Sequence, residues 1–194
     1  MKLILVRHGE TIENSNGMCQ GQREGRLSKK GKIQVVLTAL QFEDISLDIC
    51  FTSDLKRAVE TAEVIANKSG LRVIEEPALR ERNLGELQGR AFPKEWDLFN
   101  NYEKAERIDD IFHRLKPFVN VIERLPQEST ILIVSHGITL RILLALLLKK
   151  ARREEIRSLG ELANCSITIL ERVESGLFRV IEYNNTNHLN KQCL

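Results

Sequence analysis

The sequence predicts an α/β fold, a three-layer α/β/α sandwich whose sheet is mostly parallel with an antiparallel edge. Three observations predict it. Short continuous apolar runs at Lys2–Val6, Asp48–Thr52, Leu71–Ile74 and Thr130–Val134 read as buried strands. Segments with apolar residues at helical spacing separate them, and strands joined by helices imply a parallel sheet covered on both faces. The last two apolar runs, Ser166–Leu170 and Phe178–Tyr183, flank a turn at Ser175-Gly176 and read as an antiparallel pair.

Each element has a local reason. The opening lysine and apolar run are cut short by Arg7, His8 and Glu10, so a buried first strand is expected rather than a signal peptide. A polar, glycine-containing stretch follows from His8 to Leu27. Ser28 is placed as the N-cap of a helix carrying Ile33, Val36, Leu37 and Leu40. Ser53 is placed to cap a second helix with Ala58, Ala62, Ile65 and Ala66 on one face, and Gly70 to end it. After Pro77 the chain is polar through Leu87 and Gly89. Residues 93–125 read as two helical pieces, with a stripe of Ile108, Ile111, Phe112, Leu115, Phe118, Val119 and Ile122. The run at 130–134 leads into Ser135-His136-Gly137 and an apolar helix to about Leu148. No repeat, low-complexity tract or linker interrupts the chain. One domain over 1–194 is expected, with a small helical cap around 90–112.

Composition narrows the function classes. With 194 residues, 42% hydrophobic and 29% charged, the chain can bury a full core as a soluble globular protein. No apolar run is long enough to span a membrane. A net charge of +2 without a long basic run is too weak for a nucleic-acid binder. The densest basic cluster, Lys149, Lys150, Arg152 and Arg153, reads as a solvated helix end. Cys19, Cys50, Cys165 and Cys193 lie far apart without a CxxC pair, as free thiols in a cytoplasmic protein do.

Chemistry concentrates where predicted strands end. The first ends in Arg7-His8-Gly9-Glu10-Thr11, the second in Thr52-Ser53-Asp54 with Arg57 one turn on, and the fourth in Ser135-His136-Gly137. In a parallel sheet these ends share one edge, where ligands bind. Arg80-Glu81-Arg82 adds a carboxylate. Two histidines, two arginines and a glutamate suit phosphoryl transfer, which depends on cationic donors aimed at the phosphoryl oxygens. Arginine offers a planar, permanently charged fork, and a helix N-terminus adds free N–H groups. Histidine is a nucleophile when one ring nitrogen is unprotonated.

The motifs RHGET at 7–11, SDLKRAVET at 53–61, LRERNLGELQG at 79–89 and VSHG at 134–137 resemble those of the histidine phosphatase superfamily, also called phosphoglycerate-mutase-like. Asn14, Gln20-Gly21, Leu27-Ser28, Asn164-Cys165-Ser166-Ile167 and Asn187-His188-Leu189 extend the likeness nearly end to end. The resemblance implies that His8 attacks phosphorus while Arg7, Arg57 and His136 hold the phosphoryl oxygens. Asn14 is expected to seat the phosphate, with Gln20 and the backbone at Gly21 in reach. Glu81 aligns with the acid that protonates the leaving oxygen, a role that asks for a carboxyl with a raised pKa. Glu86 lies close by, and an ion pair with Arg82 is the competing reading for Glu81. No metal and no cofactor are implied. The expected partner is a small phosphorylated metabolite.

The chain also departs from the family pattern. Glu24-Gly25-Arg26-Leu27-Ser28 stands where an acidic residue and proline often precede Leu-Ser, and Ala105-Glu106-Arg107 where Gly-Glu-Ser is common. Arg107, with Arg23 or Arg26, is a candidate source of positive charge at the substrate mouth. Phe92, Trp96, Phe99 and Tyr102 either contact substrate or pack. Cys19 reads as a small loop residue, His113 as a surface residue, and His188 as a structural contact. Phosphatase activity is the leading reading. The mutases of the family it resembles are longer chains, with an insertion between the positions of Gly89 and His136 and a tail that closes the site. The short stretch here favours hydrolysis. A phosphoglycerate mutase, a non-catalytic phosphate-binding domain and a zinc hydrolase are the alternatives.

Overall fold

A computed structural model describes residues 1–150 and 152–190. The chain builds β1 (Lys2–Arg7), α1 (Ile12–Ser15), α2 (Lys29–Leu40), β2 (Ile49–Thr52), α3 (Lys56–Lys68), β3 (Val73–Glu75), α4 (Ile108–Glu123), β4 (Thr130–Ser135), α5 (Gly137–Leu147), α6 (Arg153–Ser158), β5 (Ile167–Arg172) and β6 (Phe178–Asn185). The six strands form one sheet in the order β3-β2-β4-β1-β5-β6. The first four in that order run parallel, and β5 and β6 are antiparallel, as expected.

Strand alternation divides the core in two. Leu3, Leu5, Ile131 and Ile133 pack with α4 and α5 on one face, while Ile4, Val6, Leu132 and Val134 pack with α2 and α3 on the other. Neighbouring strands β1 and β4 therefore send their following segments to opposite faces. Their carboxyl ends, in register at Arg7 and Ser135, open the crevice that such a reversal creates.

Several local expectations hold. Ser28 accepts the Gly31 N–H at 2.9 Å and caps α2. Gly70, at φ +63°, follows the end of α3. Ala58, Ala62, Ile65 and Ala66 are buried, as are Ile108, Ile111, Leu115, Phe118, Val119 and Ile122. Cys19, Cys50 and Cys165 are buried free thiols, and burial pushes the Cys19 thiol up to about 11. Cys193 lies outside the described residues. His188 is buried against Thr38 Oγ1 at 3.0 Å, a structural contact.

Four expectations change. The α2 residues Ile33, Val36 and Leu40 face outward; Gly31, Val35, Thr38 and Ala39 are buried instead. The reason is Gly31: a Cβ there would run into the Glu10 carbonyl, so the glycine edge is the one that seats against the loop following β1. Ser53 does not cap α3 directly. The helix starts at Lys56, and the Ser53 hydroxyl accepts the Leu55 N–H at 3.2 Å while facing a histidine. The cap before Ile108 is built of turns rather than helix, because buried Arg82 draws the carbonyls of Leu98, Asn100 and Glu106 to its guanidinium at 2.7–2.9 Å. Those oxygens are then unavailable to a helical ladder. The basic cluster near 150 is not one helix end: α5 stops at Leu147, and Arg152 precedes α6.

The close seat of α2 on the Glu10 backbone predicts that Gly31→Ala costs about 1–3 kcal/mol of stability through overpacking. Urea unfolding measures it, and an unchanged midpoint would show that the two segments part without strain.

Candidate active site

The crevice at the ends of β1 and β4 contains a cavity of about 400 Å³. Arg7, His8, Arg57 and Glu81 contribute to its polar wall, and Leu84, Phe92, Trp96, Leu98 and Leu162 to its apolar wall.

His8 is buried at the end of β1. Its Nδ1 lies 2.8 Å from the carbonyl oxygen of its neighbour Gly9, which can only accept, so Nδ1 carries the proton and Nε2 keeps its lone pair. Arg57 Nε donates toward that Nε2 at 3.3 Å. Burial, then the charges of Arg57 and Arg7, holds the His8 pKa well below the ordinary imidazole value. The Gly9 N–H donates to Thr61 Oγ1 at 3.1 Å, tying the turn to α3.

Arg57 is the second residue of α3 and 1% exposed. Its Nη1 and Nη2 donate to the carbonyls of Arg23 at 3.0 Å and Gly21 at 2.7 Å, so the guanidinium is locked against the polar loop. Burial lowers its pKa to about 10, which leaves it charged at neutral pH. Arg7 is anchored to the Leu162 carbonyl, and its buried Nε has no protein partner among the described residues.

His136 lies behind this wall, fully buried, with its ring centroid 5.0 Å from that of His8. Its Nε2 is 2.8 Å from Ser53 Oγ. Its Nδ1 is buried without a partner among the described residues. Burial, with Arg57, His8 and Arg7 adding to it, lowers its pKa strongly.

Glu81 is held by the first turn of α5, where backbone donors have no helical partner. Its Oε2 accepts the Ile138 N–H at 3.2 Å; its Oε1 accepts those of Thr139 at 3.1 Å and Arg82 at 2.9 Å. An ion pair with Arg82 is thereby replaced: that guanidinium is spent on the cap carbonyls.

The loop residues divide. Asn14 lines the cavity, and its Oδ1 accepts from the Thr11 N–H and Asn164 Nδ2, both at 3.2 Å, which leaves its Nδ2 to meet a ligand. Gln20 also lines the cavity, but its amide nitrogen donates to the Thr11 hydroxyl and, at 3.0 Å, to Glu13, so it braces the α1 turn in this conformation. Gly21, at φ +55°, is where a Cβ would strike Gln88; its carbonyl, not its N–H, faces Arg57. Arg107 is exposed at the start of α4 and does not line the cavity; Arg141 does. Phe92 and Trp96 line the cavity, Tyr102 stacks on Trp96 at 5.1 Å, and Phe99 packs beneath Arg153 and Arg157.

The braces around the site take roles that the sequence does not assign to them, although Ser53, Thr61 and Asn164 lie within the motifs. Ser53 has the pattern of a helix cap, and Thr61 and Arg141 each sit about one turn into a helix, where spacing alone assigns them no contact with the site. Asn164, within one of the motifs, donates to the His8 carbonyl at 3.0 Å. Among the described residues no group of three His, Cys, Asp or Glu side chains is arranged to hold a metal ion, and no helix is long and apolar enough to cross a membrane.

The family model of the histidine phosphatase superfamily (branch 1) matches residues 3–186. This chain belongs to that superfamily. A probable phosphoglycerate mutase, GpmB, of Yersinia enterocolitica is 34% identical over 188 residues, covering 90% of this chain and 86% of the relative. Among solved structures, YhfR of Bacillus stearothermophilus superposes with a TM-score of 0.86 at 27% identity, covering 97% of this chain and 99% of the other. A mycobacterial glucosyl-3-phosphoglycerate phosphatase in complex with VO3 gives 0.87 at 28% identity, covering 95% and 99%.

The buried neutral imidazoles have a consequence for stability. A histidine whose folded pKa is depressed binds its proton more readily when unfolded, so stability is lost as pH falls below the unfolded value of about 6.5. Each such imidazole contributes a slope of up to about 1.4 kcal/mol per pH unit. Urea unfolding of the ligand-free protein between pH 7 and 5.5 is expected to show this fall, and His8→Asn to reduce its slope by about one proton. Equal slopes for the two proteins would mean that His8 ionises alike folded and unfolded.

Proposed function

We propose that the protein is a metal-independent phosphatase that hydrolyses a phosphate monoester of a small metabolite through a phosphohistidine at His8. The observation that carries this reading is the state of His8: a neutral imidazole whose unprotonated Nε2 is held by buried Arg57, in a cavity that Arg7 and the Glu81 carboxylate also line.

In the proposed reaction Nε2 attacks phosphorus as the ester P–O bond breaks. Glu81 gives its proton to the departing alkoxide oxygen. Arg7 and Arg57 neutralise charge on the phosphoryl oxygens, and the Asn14 amide donates a hydrogen bond to one of them. His136 joins them with support from Ser53. With the Leu55 N–H on one lone pair, the Ser53 hydroxyl can donate to His136 Nε2, leaving a proton on the unpartnered Nδ1. Water then attacks phosphohistidine, Glu81 takes its proton, the N–P bond breaks, and orthophosphate leaves. The cations supply the charge neutralisation, so no metal or cofactor is needed.

A panel of phosphorylated metabolites and p-nitrophenyl phosphate, assayed for phosphate release in excess EDTA, tests this. Turnover is expected, with His8→Asn inactive and Glu81→Gln about 10²–10⁴-fold slower. Rapid quenching of a labelled substrate is expected to trap an acid-labile, base-stable adduct absent from His8→Asn. Wild-type turnover by that variant would end the proposal.

Likeness to proteins named as probable phosphoglycerate mutases favours a second reading, return of the phosphoryl group to a bound phosphoglycerate. Incubation with 3-phosphoglycerate and a trace of 2,3-bisphosphoglycerate separates the two: 2-phosphoglycerate formed faster than orthophosphate selects the mutase.

Arg141 takes the place expected of Arg107 at the substrate mouth. It lines the cavity, donates to the Ile156 carbonyl at 3.1 Å, and keeps a buried Nε without a partner among the described residues. A substrate with a second acidic group fits it. Arg141→Gln is expected to raise KM about tenfold or more for phosphorylated carboxylic acids while leaving p-nitrophenyl phosphate within about twofold, the loss of one charge-assisted contact. Equal effects on both substrates would remove Arg141 from recognition.

A further inference from the structure

The outward face of α2 carries a pattern that neither the core nor the cavity uses. Ile33, Val36 and Leu40 are 55%, 54% and 43% exposed, and half-buried Leu37 lies beside them. These positions follow the i, i+3, i+4, i+7 spacing of a single helix stripe. Single exposed apolar residues need no explanation, but a contiguous stripe framed by charges marks an association surface. Lys29 stands four residues before Ile33, and Asp44 four residues after Leu40, in the turn that ends the helix; both are exposed.

We infer that α2 is the contact surface of a two-fold dimer of this chain, with the two helices antiparallel. The evidence for a second copy, rather than another partner, is that the stripe is complementary to itself. A two-fold axis passing between Val36 and Leu37 sets Ile33 against Leu40 of the second copy, and Val36 against Leu37. The same axis sets exposed Lys29 against exposed Asp44. Every pair occurs twice, as an isologous contact requires. A parallel arrangement would oppose lysine to lysine and acid to acid. A groove lined by Ile33, Leu37, Thr186 and Leu189 runs along one side of the stripe and offers room for side chains of the facing helix. Two helices of 12 residues with their flanks form a contact at the small end of specific interfaces, so weak, concentration-dependent association is expected.

Sedimentation equilibrium of the full chain from about 1 to 200 µM tests the inference. The wild type is expected to dimerise, and Val36→Glu to remain monomeric throughout with an unchanged circular dichroism spectrum. Charge exchange supplies the sharper test. Lys29→Glu and Asp44→Lys each place like charges together at both ends of the contact and are expected to weaken the dimer about fivefold or more, whereas the double variant restores it. Both single changes agree with the dipole of α2, acid at its N-terminus and base at its C-terminus, so loss of folding does not explain lost association. A wild type that is monomeric at 200 µM overturns the inference, and so does a dimer indifferent to Val36→Glu. A chain ending at Asn190 that dimerises while the full chain does not would show that the last four residues cover the stripe, which also overturns it.

Discussion

The hydrogen bond from the His8 Nδ1 proton to the Gly9 carbonyl is the constraint on which the site depends. It selects the tautomer, and the tautomer decides where the lone pair points. The positive charges of Arg7 and Arg57, together with burial, then keep that lone pair free of a proton. Cations crowded in a buried site would be costly if isolated, but Arg57 delivers its charge while satisfied by two carbonyls and the imidazole. An anion entering the cavity relieves the remaining repulsion. Among the described residues, buried polar atoms of Arg7, His136 and Arg141 have no protein partner, as groups that meet a ligand do.

Sheet topology explains why these groups meet at all. His8 and His136 are far apart in sequence, yet each follows directly on one of two adjacent parallel strands. The segment after β1 leaves toward α2 and the segment after β4 enters α5, so the backbone parts between them. Glu81 is brought in by a different device, the free N–H groups of the first turn of α5. One helix start thereby fixes both the histidine that precedes it and the carboxylate that caps it.

Strands, the mostly parallel sheet and the residues gathered at the strand ends were legible in the sequence because continuous apolar runs and the motifs after them are local signals. The stripe on α2 located a helix but not its buried face, since the deciding contact is between Gly31 and Glu10, a tertiary approach that hydrophobic spacing does not encode. The cap was legible as a segment but not as turns, because a single buried guanidinium from outside it sets its backbone. Ser53, Thr61 and Arg141 were not legible in their present roles for a similar reason. Each is an ordinary helical or loop residue until the fold brings a distant partner to it.

Arg82 grips the cap through main-chain oxygens alone, at Leu98, Asn100 and Glu106. Carbonyl groups are common to every amino acid, so the anchor is indifferent to which side chains the segment carries. Replacing the aromatic and aliphatic groups that line the cavity there leaves every bonding partner of this anchor in place, so the wall can change shape while its tether stays the same.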